Sequence, residues 1–267
     1  GSGIWSGAYL PITVANLTIV ATAGFGGLAL IAALSTIAED LGRVRLLPWV
    51  FTGHYAASAI AVVVAGPVID AVGVRRTFRV SGIWLLVFTA AAAAAPSMLM
   101  LVLARTLQGF GVGLVFAVST ATIGLSYPDE LRRRAFAAQS VMFGVMGLGG
   151  PALAGVMLAT GGWRVVFVVQ LPVTMIALAS GWVTLPTTRD RPARIRTDWR
   201  GTGLLTFIVC SSLAAVSQVG VRWWAVGAAM AVTAVVVRMY WWHSGLVDAP
   251  VLAREHLNRF PLKWIHV

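Results

Sequence analysis

Eight stretches of about twenty or more mostly apolar residues follow one another along this chain. They run roughly over 12–38, 47–71, 78–96, 98–126, 135–160, 163–185, 201–220 and 222–243. A helix needs about 20 apolar residues to cross the hydrocarbon of a bilayer. Breaks fall where helices should stop, at "EDLGRVR", "GVRR", "APS", "YPDELRRR", "TGGWR", "TTRDRPARIRTDWRG" and "VGVR". Only 11 % of the residues are charged and 58 % are hydrophobic, whereas a soluble domain is charged at about a quarter of its positions. A water-exposed surface cannot be built from so few charges. The expected fold class is an all-α membrane protein, with six helices followed by two additional transmembrane helices.

The formal net charge of +11 does not point to nucleic acid, because the basic residues come in short clusters between apolar runs. That is the pattern of membrane loops. With the N-terminus in the cytoplasm, fifteen basic residues fall inside: Arg75, Arg76, Arg79, Arg132, Arg133, Arg134, Arg189, Arg191, Arg194, Arg196, Arg200, Arg238, Arg254, Arg259 and Lys263. Four fall outside: Arg43, Arg45, Arg164 and Arg222. The sequence therefore predicts a cytoplasmic N-terminus. No lysine or arginine precedes Arg43, so a secretory signal peptide is not indicated. Cys210 is alone, which gives neither a disulfide framework nor a metal-ligand spacing. The closing "FPLKWIHV" reads as the start of a span that the chain does not complete.

One arginine, Arg105, is left over inside a span. An arginine at a helix centre costs about 3 kcal/mol or more on insertion scales and normally faces a protein interior or a wet cavity. The alternative is that it snorkels to a headgroup. Gln108 lies one turn along on the same face, and Gly109, Gly111 and Gly113 leave room for another helix or a substrate. His54, in the second span, can carry a proton near neutral pH or serve as a hydrogen-bonded core residue. "GPVIDAVGVRR" closes the second span. There Gly66 permits close helix approach, Asp70 is a carboxylate at the membrane edge, Gly73 ends the helix, and Arg75 and Arg76 occupy the short loop. This reads either as a conformational latch or as a plain positive loop with a capping acid. In "GVMGLGGPALAG", Gly147, Gly150, Pro151 and Gly155 suit a bendable, closely packed helix, or ordinary small-residue packing. Trp163 and Arg164 in "GGWRVVFVVQLPV" read as interface anchors.

In order and spacing these segments resemble the N-terminal part of the major facilitator superfamily, in its fourteen-helix drug:proton antiporter branch. "GPVIDAVGVRR" is similar to the family's loop motif between helices 2 and 3, "LARTLQGFGVG" to its helix-4 motif, and "GPALAG" to its helix-5 antiporter motif. "ALSTIAEDLG", "WVFTGHYAASA" and "GWRVVFVVQLPV" extend the resemblance over nearly the whole chain. It implies a six-helix facilitator-type bundle over 1–185, a cytoplasmic basic loop over 186–200, two accessory helices over 201–243, and a cytoplasmic linker with the start of a further helix over 244–267. The departures are specific. Gly26 stands where the family carries a first-helix aspartate, Ser35 replaces a proline, Pro67 and Ala71 stand where basic residues are common, Gln170 replaces an asparagine, and Ala154 replaces a glycine.

The resemblance implies part of a secondary active transporter of the bacterial plasma (inner) membrane, exporting amphipathic or lipophilic compounds in exchange for protons by alternating access. Arg105, Gln108 and His54 would serve coupling at the cavity, Asp70 with Arg75 and Arg76 a cytoplasmic gate, and the helix-5 glycines a hinge. Expected partners are membrane lipid, a small lipophilic substrate, and either the missing C-terminal half or a second copy. Neither cofactor nor metal is expected. Two other functions remain open: a non-transporting half-transporter or scaffold, and a facilitator uncoupled from protons, which the missing first-helix acid favours. No constellation on the cytoplasmic segments suits an enzyme.

Overall fold

The computed structural model describes residues 3–7, 9–185, 198–217 and 223–247. All regular structure among them is helical. α1 (Leu10–Ala32) gives way at Ala33 to the short α2 (Leu34–Leu41), so the first apolar stretch is two helices rather than one. A 3-10 turn (Val44–Leu46) leads into α3 (Leu47–Val72), followed by α4 (Val74–Ala93), α5 (Met98–Ser126), α6 (Asp129–Gly161), α7 (Arg164–Thr184), α8 (Trp199–Ser217) and α9 (Trp223–His243).

Local chemistry sets several boundaries. Pro11 and Pro48 sit in the first turns of α1 and α3, where the missing N–H has no helical partner to lose. The Ser97 side chain accepts from the Met100 N–H and caps α5. Pro128 is the residue before α6, which puts Asp129 and Glu130 in its first turn, at the positive end of the dipole. Gly73 has φ of 85°, a conformation few side chains tolerate, and it joins α3 to α4 without further loop residues. Arg75 and Arg76 therefore lie in the first turn of α4, not in a loop as expected.

The helices run up and down. One end of the bundle carries α2 with the α4–α5 and α6–α7 turns. The other carries Gly73 and the α5–α6 turn. α3 packs along α5, α1 along α6 and α7, and α4 between α5 and α7. The α8–α9 hairpin docks on α3 through α8. The core near the α2 end gathers Leu30, Ile37, Val50, Met98, Leu101 and Phe167. The core near the Gly73 end gathers Ile19, Val74, Phe78, Leu85, Val115 and Val118.

Among the described residues, six segments are long and apolar enough to cross a membrane: Leu10–Ala32, Val44–Val72, Met98–Ser126, Asp129–Gly161, Arg164–Trp182 and Trp223–His243. α4 and α8 occupy the third and seventh predicted stretches. The outer faces are apolar as well. Leu148 is 87 % exposed and Val156 68 %, a surface suited to lipid or protein rather than water.

The tightest seam is between α3 and α5. A Cβ placed on Gly109 would strike the His54 carbonyl, and one on Gly113 the Ser58 carbonyl. Two glycines four apart thus meet two backbone carbonyls four apart, the small-xxx-small packing of membrane helices. On another face, Gly111 lies against the backbone of Leu85 in α4. Gly155, by contrast, has open space around it. Gly113→Val should destabilise the bundle by about 3 kcal/mol or more through overpacking. Gly155→Ala should be neutral or stabilising by up to about 1 kcal/mol through helix propensity. Thermal unfolding of the purified variants in detergent checks both.

Candidate functional site

α5 is enclosed by α3 and α4, and this determines what becomes of its one charge. Arg105 is 0 % exposed. It neither snorkels to the surface nor stands on an open wall. Its Nη1 donates to Gln108 Oε1 at 2.5 Å, Gln108 Nε2 donates to Thr89 Oγ1 at 2.8 Å, and Thr89 Oγ1 donates to the Leu85 carbonyl at 2.7 Å. The relay runs along one turn of α5, crosses to α4 and ends on backbone. The Phe167 ring, from α7, lies 5.8 Å from the Arg105 Cζ, near the limit for a cation–π contact. Arg105 and Gln108 were legible in the sequence. Thr89 and Phe167 were not, because nothing local marks a threonine or a phenylalanine as the partner of a residue on another helix.

His54 is buried on α3, and its Nδ1 lies 3.1 Å from the Arg105 carbonyl. A carbonyl can only accept, so Nδ1 carries the hydrogen. The contact depends on Gly109, whose missing side chain lets the two backbones close. His54 thus joins the Arg105 site through the main chain.

A second buried network ties three helices nearer the Gly73 end. Ser119 Oγ donates to Asn16 Oδ1, Asn16 Nδ2 donates to the Ser119 carbonyl at 3.3 Å, and Gln139 Nε2 donates to Ser119 Oγ at 3.3 Å. Close by, the Thr13 hydroxyl shares a hydrogen bond of 2.7 Å with the Tyr127 hydroxyl.

The motif at the end of α3 is arranged differently from the expected latch. Arg75 donates through Nη2 to the Trp182 carbonyl at 2.6 Å and through Nε at 3.2 Å. Arg79 reaches the same carbonyl at 3.4 Å and lies 4.2 Å above the Trp182 ring. These arginines therefore cap the negative C-terminal end of α7. Asp70 and Arg76 are exposed, and the structure does not bring Asp70 together with Arg75 or Arg76. Gly66 has no neighbouring side chain or backbone against it.

Within the helix-5 motif, α6 continues unbroken through Pro151. Gly147 faces Leu28, and Gly150 faces Phe25 and Ala29 of α1, whereas Gly155 meets nothing. Near these positions a cavity of about 200 Å³ opens between α1, α6 and α7, lined by Thr22, Phe25, Met146, Met157, Gln170 and Val173 among others. Arg105 is not on its wall. Gln170 Oε1 lies 2.7 Å from where a Cβ on Gly26 would stand. The two sequence departures at 26 and 170 are thus in contact, and the missing side chain at one makes room for the carboxamide at the other.

Trp163 is not an interface anchor. It is 2 % exposed and packs edge-on against Phe167. Its Nε1 donates to Asp40 Oδ2 at 2.9 Å, and Arg164 Nη1 donates to the same oxygen at 2.6 Å. Arg164 Nη2 donates to the Ala95 carbonyl at 3.1 Å. The Asp40 carboxylate on α2 therefore holds the α6–α7 turn, and Arg164 extends the link to the α4–α5 turn. Among the described residues, no three His, Cys, Asp or Glu side chains are placed to hold a metal ion.

Comparison with known proteins agrees with this architecture. The sequence profile of the Major Facilitator Superfamily matches residues 14–253. A "Multidrug resistance protein B homolog" of Mycobacterium tuberculosis is 33 % identical over 180 residues, 65 % of this chain and 33 % of that protein. A "Probable multidrug-efflux transporter" of the same organism is 39 % identical over 145 residues, 53 % of this chain and 30 % of that protein. The "Multidrug transporter protein MdtP" of Bacillus subtilis is 32 % identical over 149 residues, 55 % and 27 % of the two chains. These matches span about a third of the relatives' length. Among solved structures, a peptide transporter POT (E310Q mutant, in complex with sulfate) superposes with a TM-score of 0.56 at 15 % identity, over 81 % of this chain and 47 % of that one. That likeness is one of fold.

The Asp40 contacts set a pH dependence. Hydrogen bonds from Trp163 first, and then from Arg164, hold the Asp40 carboxyl below the ordinary carboxylate range. A depressed folded-state value means that the contribution of Asp40 to stability is complete above pH ~4, its unfolded value. That contribution is lost as pH falls through the lower folded value. Thermal unfolding measured from pH 7 to pH 2 should show this loss, and Asp40→Asn should remove this component of the pH dependence.

Proposed function

The chain belongs to the Major Facilitator Superfamily, and from that membership we propose that it forms the first six-helix half of a secondary active transporter. Residues 1–185 make that half and 201–243 an accessory helix pair, while the expected basic loop over 186–200 and the expected linker over 244–267 lie largely outside the described residues. The observation that carries the reading is the Arg105–Gln108–Thr89 relay. A permanent cation wholly enclosed among lipid-facing helices is costly to build, and such residues in membrane bundles mark substrate or ion pathways.

The whole transporter exports amphipathic or lipophilic compounds by alternating access, a reading supported by relatives named for multidrug resistance, multidrug efflux and multidrug transport. It does so with the remaining half of the same polypeptide or with a second copy. Val62, Gly66 and Asp70 recur every fourth residue on an exposed face of α3, and this face would meet the other half. The N-terminus lies in the cytoplasm of a bacterial cell. Arg75, Arg76, Arg79, Arg132, Arg133 and Arg134 lie at the Gly73 end, against Arg43, Arg45 and Arg164 at the α2 end, in line with the positive-inside rule. Arg105 and Gln108 act in coupling, with His54 tied to them through the Arg105 carbonyl. The second reading is facilitation without proton exchange, and Gly26 favours it by leaving α1 without a carboxylate.

The test uses the full-length polypeptide in energised cells loaded with cationic, neutral or anionic lipophilic dyes. Arg105→Ala should lower efflux of the transported dye at least tenfold at unchanged membrane levels. Unchanged efflux would remove Arg105 from the mechanism. Efflux that survives a protonophore would assign the uncoupled reading.

A further inference from the structure

Two of the three guanidinium nitrogens of Arg105, Nε and Nη2, are buried without a hydrogen-bond partner. The third, Nη1, is held by Gln108. The unpaired two are not an arbitrary pair. Their N–H bonds point the same way along one edge of the guanidinium, and that edge matches the two oxygens of a carboxylate. A buried guanidinium edge without a charge partner carries an uncompensated desolvation cost.

No acid of this half answers it. Glu39, Asp40, Asp70, Asp129 and Glu130 all stand at or beyond the ends of the spanning helices. Asp40 is engaged by Arg164, and Asp129 by Arg132. The relay keeps the edge in place: Gln108 pins the opposite side of the guanidinium, and Thr89 pins Gln108. Phe167 supplies an apolar wall 5.8 Å from Cζ.

We propose that the Nε/Nη2 edge of Arg105 binds the carboxylate of an amphipathic ligand, so that the substrate class of the transporter is organic monocarboxylates rather than organic cations. This rests on the transport reading above. A cationic ligand would meet an unscreened like charge at this point, and a neutral one would leave both donors poorly matched. The site is closed in this conformation, because the guanidinium is wholly buried. Entry requires a neighbouring helix to move away from α5.

The test is calorimetry on the intact polypeptide in phosphatidylcholine nanodiscs with three ligands of one skeleton: 4-phenylbutyrate, 4-phenylbutyramide and 4-phenylbutylamine. The acid should bind saturably and at least tenfold more tightly than the amide, with the amine weakest. Arg105→Lys keeps the charge but lacks the edge, and it should weaken the acid at least tenfold. If thermal melting shows that variant unfolded, the charge series on the unsubstituted protein decides alone. Absent binding of the acid, equal affinity for the three ligands, or full binding by folded Arg105→Lys would overturn the proposal. Displacement of the acid by an equal concentration of chloride would also overturn it, in favour of a simple anion site. Binding is read without a gradient, so its failure is separable from failure of transport. Acid bound without efflux sinks only the transport reading, and cationic dye exported without acid binding sinks only this one.

Discussion

Close backbone approach at α5 is the constraint on which the rest of the structure depends. Gly109 and Gly113 bring α3 within backbone contact on one side, and Gly111 brings α4 within contact on another. Lipid offers helices no hydrophobic drive to associate, so packing of this kind and interhelical hydrogen bonds must hold them together. Both consequences meet at Arg105. The glycines place the α3 backbone so near that His54 can donate to the Arg105 carbonyl, and they bring α4 so near that Thr89 can take up Gln108. A side chain at position 109 would separate the helices and open the guanidinium to lipid. The charge is enclosed because the face of α5 that carries it is turned toward α3, α4 and the Phe167 ring of α7.

The hydrophobic stretches made the helices legible, since length and polarity alone decide what can cross a bilayer. The division at Ala33 was not legible, because α1 and α2 read as one apolar run. The start of α4 was misplaced because its first turn is rich in arginine, which reads as loop by composition. Yet the chain turns at Gly73 alone, and the arginines find the α7 carboxyl terminus within reach. Within the site, Arg105 and Gln108 share a helix face and were visible as a pair. Asp40 and Arg164 are 124 residues apart, and neither carries a local sign of the other. Trp163 was misjudged for the same reason: an indole flanked by glycine and arginine reads as an anchor until a carboxylate from α2 is seen to hold it inward.

The departures from the family pattern at positions 26 and 170 are better understood as one change than as two. Removing the side chain from α1 opens a space, and the carboxamide of α7 enters it. An aspartate could not be restored at position 26 without displacing Gln170. The loss of an acid there is therefore built into the packing of α1 on α7, and Arg105 is left as the charge that this half carries in its interior.

The two ends of the bundle bear on how such a unit could move. At one end Asp40 joins α2 to the α6–α7 turn, and Arg164 extends the link to Ala95. At the other, Arg75 and Arg79 fasten α4 to the end of α7. α7 is thus held at both ends, by contacts that are only partly desolvated and so individually weak. Pro151 leaves α6 unbroken, and bending there would have to part Gly147 and Gly150 from α1. Rotation of the six helices as one body leaves all of these contacts intact, whereas hinging within α6 does not. Opening of the Arg105 site need only disturb the contact of α7 with α5 at Phe167, where a ring faces the guanidinium at 5.8 Å and no hydrogen bond joins the two side chains.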